Sequence, residues 1–117
     1  MLNKSELDFT GVLKWRKKGY TGKGVKIANV ESTNPRLPFF HGRVFDPLGI
    51  GFDEFKNSHG TNTTQVIHQV APDADIYILP SSGEFGRDYA RGRLIEETIP
   101  FLEQENIHLF NASLGGV

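Results

Sequence analysis

The chain reads as an α/β fold, a doubly wound parallel sheet with flanking helices, and three observations carry that reading. Short apolar runs rich in β-branched residues recur at residues 25–30, 76–79 and 107–110. Segments of helical spacing lie between them, one from about Gly60 to Gln69 and one containing Leu94, Ile95, Thr98, Ile99 and Leu102. Strands alternating with helices imply parallel pairing through right-handed crossovers.

Each element has a local reason. Ser5 is suited to cap a first helix, with Leu7, Leu13 and Trp15 as its apolar positions and an end near Gly19. Thr21-Gly22-Lys23-Gly24 is a turn, and the strand after it delivers an acidic residue, Glu31, at its end. Residues 32–58 are rich in Pro, Gly and Phe, with no helical or long strand pattern. A connection of that length is more often functional or specially packed than idle. The Gly60–Gln69 helix must close before Pro72, because the residue preceding a proline is pushed out of helical geometry. Residues 75–79 form the second strand, ended by Pro80, and a loop with Ser81, Ser82 and Gly83 follows. The last helix runs to about Gln104 with a kink expected at Pro100, and residues 107–110 make the third strand.

Composition bounds the function. The 117 residues suit one domain spanning 1–117, and 38% hydrophobic with 23% charged residues fits a globular chain. A net charge of −1 makes no electrostatic case for nucleic acid or an anionic membrane as partner. The basic stretch Lys14-Trp15-Arg16-Lys17-Lys18 reads as a solvated helix face. There is no cysteine, hence no disulfide or thiol chemistry. The N-terminus has no apolar signal core and no run is long enough to span a bilayer, so a cytoplasmic location is expected.

Chemistry concentrates around Ser58-His59-Gly60-Thr61. It is preceded by Gly22-Lys23-Gly24, an apolar strand and Glu31, and followed by Val70-Ala71-Pro72-Asp73-Ala74, a second strand, and Asn111-Ala112-Ser113-Leu114-Gly115-Gly116. In this order the segments resemble the N-terminal half of the catalytic domain of the subtilisin-like serine proteases. The resemblance implies a partial subtilisin-like sheet and peptide-bond hydrolysis by an acid–His–Ser triad. In such a triad the histidine takes the serine's proton while the acid fixes its tautomer. His59 matches the family's histidine. Glu31 matches the acid, 28 residues earlier, although the family places Asp there and here Glu31-Ser32-Thr33 stands instead. Glutamate is one methylene longer, so it is expected to need a bent rotamer or shifted backbone to meet His59. Glutamate does serve as the acid in some hydrolase triads.

Ser113, Leu114 and Gly115 match the family segment whose backbone pairs with an extended substrate, which makes an extended peptide or protein the expected partner. Ser113 is not the nucleophile. The family's nucleophile lies in a Gly-Thr-Ser-Met-Ala-like segment, and its oxyanion-hole Asn lies downstream; neither segment occurs in these residues. The resemblance therefore implies no hydrolysis by these residues alone, and either self-association or a complementary C-terminal half. The loop that supplies calcium in many relatives has no counterpart before Val70-Ala71-Pro72. No cofactor and no metal are expected, and His41, His68 and His108 read as structural or surface residues.

Two other classes remain open. A non-catalytic peptide- or partner-binding module derived from a subtilase is favoured by Glu31 in place of Asp. A nucleotide-binding α/β domain is disfavoured, because Gly22-Lys23-Gly24 precedes a strand where a phosphate-binding loop follows one.

Overall fold

Four strands line up in the order β2-β3-β1-β4, and every pairing is parallel. The structure is a computed structural model that describes residues 1–49, 58–79, 96 and 98–113. Its strands are β1 (Lys26–Val30), β2 (Val44–Phe45), β3 (Asp75–Leu79) and β4 (Leu109–Asn111). Its α-helices are α1 (Lys4–Phe9), α2 (Val12–Lys17), α3 (His59–Val70) and α4 (Ile99–Gln104). The fold is thus α/β with a four-stranded, all-parallel sheet and helices.

β1 is the inner strand between β3 and β4, with Asn29 opposite Ile78 on one side and Asn111 on the other. Ile27, Ala28, Asn29 and Val30 are all buried. Burial on both faces is why the run does not alternate apolar with polar residues. On one face, Ile76 and Ile78 of β3 pack with Leu37, Phe40 and Val44, and Phe39 and Ile67 close over them. On the other face Tyr77 stacks on Phe45 at 5.4 Å and meets Phe101 of α4 at 5.6 Å between centroids. Helical elements therefore contact both faces of β3, as alternate side chains of a strand require.

Several local expectations are corrected. The first helix is two: its cap is Asn3, not Ser5, in a reciprocal capping box with Glu6. Gly11, with φ of +83°, breaks the run before α2. Trp15 is 57% exposed and packs edge-on to Tyr20 with Lys18 over its ring, so it is not a core position. The connection without a long strand pattern contains the two-residue β2 and the 3-10 turn Pro38–Phe40. Pro100 lies in the first turn of α4, where a missing N–H is tolerated. The expected loop at Ser81, Ser82 and Gly83 and the helix positions Leu94 and Ile95 lie outside the described residues. Among the described residues no helix is long and apolar enough to cross a membrane.

Candidate functional site

Parallel strands put their carboxyl ends on one edge, and Glu31 is the first residue past β1 on that edge. Its N–H bonds the carbonyl of Asn29 at 2.9 Å as the chain leaves the sheet. Ile27, Asn29 and Glu31 share one face by strand alternation. That face meets α3: the Asn29 amide donates to Thr64 Oγ1 at 3.0 Å.

The opening of α3 is built by hydroxyls. Ser58 is the N-cap, its Oγ accepting the Thr61 N–H at 3.2 Å, and its own hydroxyl donates to Thr61 Oγ1 at 3.0 Å. Thr61 and Thr33 are buried with their hydroxyl oxygens 2.7 Å apart, which ties the start of α3 to the loop after β1. Gly60 allows the approach. A Cβ there would run into the carbonyl oxygen of Ser32 and come within 2.9 Å of its carbon and 3.1 Å of its nitrogen. Only a residue without Cβ lets the helix start lie so close to this backbone.

That approach sets His59, the first residue of α3, beside Glu31. Nδ1 of His59 is 2.9 Å from Oε1 of Glu31. The longer acid does reach the ring. The two ends of the pair differ in environment: the Glu31 side chain is 6% exposed and that of His59 68%. The contact is one of distance and charge: Oε1 is buried and has no partner of hydrogen-bond geometry among the described residues. Burial raises the Glu31 carboxyl above its ordinary value, and the charge and nearness of His59 pull it partly back. An acid engaging Nδ1 leaves Nε2 on the open side of the ring, the arrangement that suits proton exchange with a bound molecule.

A second set of polar groups supports this edge. Asn111 on β4 donates to Asn29 Oδ1 at 2.8 Å and to Ser113 Oγ at 3.0 Å. Asn29, fully buried, bonds Thr64 and, more weakly, Thr63 at 3.4 Å. Thr64 in turn donates to the Gly60 carbonyl at 2.7 Å. A continuous chain of hydrogen bonds thus joins the ends of β4 and β1 to the first turn of α3. Ser113 is exposed at the end of it, whereas Leu114 and Gly115 lie outside the described residues. The reading of motifs missed Asn29, Thr33, Thr63 and Thr64. One signal was available: an amide inside an apolar strand must find partners when buried.

The remaining histidines divide. His108 Nδ1 accepts the Lys26 N–H at 3.0 Å, a structural role. His41 and His68 approach each other, with ring centroids 5.8 Å apart. Among the described residues no three of His, Cys, Asp or Glu converge as a metal site. No protein-family model matches this chain, and no curated protein matches it either.

Proposed function

We propose that these residues form the acid–histidine half of a subtilisin-like serine endopeptidase. His59 is the general base and Glu31 the acid that orients it. The nucleophilic serine and oxyanion hole come from a segment outside residues 1–117. The observation that carries the reading is the 2.9 Å contact between Glu31 and His59 at the carboxyl edge of a parallel sheet, where such folds gather functional groups. The substrate is an extended peptide paired along residues 113–115.

Histidine-selective 15N NMR tests the pair. The expected wild-type form at neutral pH is the Nδ1–H tautomer of His59. Glu31→Gln should disturb it, because an amide nitrogen turned to the ring disfavours that tautomer. A wild-type ring held as Nε2–H would remove Glu31 from the role. The protease assignment has its own test. The reading frame beyond the Val117 codon, or a separately encoded complement, should restore fluorophosphonate labelling that His59→Ala abolishes.

A second reading, a partner-binding module derived from the same family, is favoured by one observation. Glu31 stands where the family has Asp, and its burial works against the charged form that would steady an imidazolium. Peptide binding without labelling in the completed protein would select it.

A further inference from the structure

Away from the Glu31–His59 edge, the other end of α3 borders a cavity of about 260 Å³ whose lining includes Phe39, His41, Gln65, His68 and Pro72. Gln65 and His68 stand three residues apart on α3 and so share one helix face. Both are buried, at 8% and 6% exposure. Buried polar side chains normally find partners. Yet Nδ1 of His68 has no partner of hydrogen-bond geometry among the described residues, although the Phe39 backbone lies near enough to the ring to favour its protonated form. His41 faces them from the C-cap of the 3-10 turn, held at φ of +51°. Glycine would occupy that left-handed position with less strain. Turning the chain therefore does not explain an imidazole there.

We propose that His41, Gln65 and His68 form a binding site for a divalent d-block cation of the zinc or copper class. The two imidazoles are the principal ligands, the Gln65 amide oxygen is a third, and water completes the shell. Geometry supports it. Imidazole nitrogens each about 2.0–2.1 Å from one zinc ion place their ring centroids roughly 5–6 Å apart, and these rings are 5.8 Å apart. His41 is exposed and free to adjust its ring, while His68 is fixed edge-on against Phe40 at 5.8 Å. Only the neutral imidazole ligates. Burial first, then the neighbouring His41, hold His68 below its ordinary value and so in that form. Around it, Arg16 opposes added positive charge and Asp73 favours it. The site uses neither Glu31 nor His59, so it stands or falls apart from the peptidase reading.

The test is titration of the chain with Zn²⁺ alone, and separately Cu²⁺ alone, followed by histidine-selective NMR and calorimetry. Saturable one-to-one binding is expected, with His41 and His68 signals shifting under Zn²⁺ and broadening under Cu²⁺ before those of His59 and His108. Copper should bind tighter than zinc, as nitrogen sites generally do. His41→Gly suits the backbone and should keep the fold by circular dichroism while weakening both metals by at least about tenfold. His59→Ala should leave affinity unchanged. No saturable response at His41 and His68 up to millimolar metal would overturn the site. Undiminished binding in His41→Gly, or loss of binding in His59→Ala, would do the same.

Discussion

Glu31 is where burial and charge work against each other. Its carboxyl is raised, with burial the larger cause and His59 the smaller, opposing one. A raised acid favours folding while it is protonated. Its contribution is full below the ordinary glutamate value, falls as pH rises through the window up to the raised value, and is flat above it. Glu31→Gln is therefore expected to stabilise the fold at neutral pH, with the difference from wild type vanishing in acid. Urea unfolding across a pH series checks this, and a variant less stable than wild type at neutral pH would show that the His59 contact outweighs burial. A gain in stability with a lost His59 tautomer is the trade expected of a functional residue. Gly60→Ala goes the other way. The added Cβ meets Ser32 backbone, which cannot swing aside as a side chain would. A loss of at least about 1–3 kcal/mol is expected in denaturant titration. Wild-type stability in this variant would mean the helix start can move away without cost.

At the scale of elements, α3 is held to the sheet by the polar chain through Asn29. Asn29→Leu keeps bulk but removes the acceptor of the Asn111 amide and the donor to Thr64. A loss of about 1–3 kcal/mol is expected, with faster amide exchange in the first turns of α3 than in β3. Uniform loss across both elements would argue against a specific link. The same elements show what a sequence exposes and what it hides. β1, β3 and α3 were legible because their signals are local: β-branched runs, helical spacing and a proline stop. β2 was not. Val44 and Phe45 form a strand only because Ile76 and Tyr77 offer a register beside them, a partner 32 residues away that no local pattern reveals. The split at Gly11 was missed because Leu7, Leu13 and Trp15 mimic one apolar stripe. In the candidate site, Glu31 and His59 were legible as motif positions. The approach of His41 to His68 depends on how the 3-10 turn folds over α3, so spacing alone said nothing of it.

The whole molecule raises two further expectations. On the proposed reading the nucleophile and oxyanion hole are supplied from outside residues 1–117, so the purified chain should cleave no protein substrate above background. Cleavage that survives removal of contaminants and disappears in His59→Ala would refute this. The other concerns association. β4 is an edge of the described sheet. Leu109 is 58% exposed and Phe110 49%, and successive strand residues point to opposite faces. Both faces of that edge are therefore apolar and open, whereas parallel strands are normally covered on each side. Such an edge pairs readily with another chain. Light scattering should show the mean mass of the isolated chain rising with concentration, and Phe110→Lys should suppress the rise by placing a charge on the edge. If a complementary segment is the natural neighbour of β4, adding it should return the mass to that of a single pair. A chain that stays monomeric at every concentration, with β4 amides exchanging slowly, would mean the edge is already covered from within.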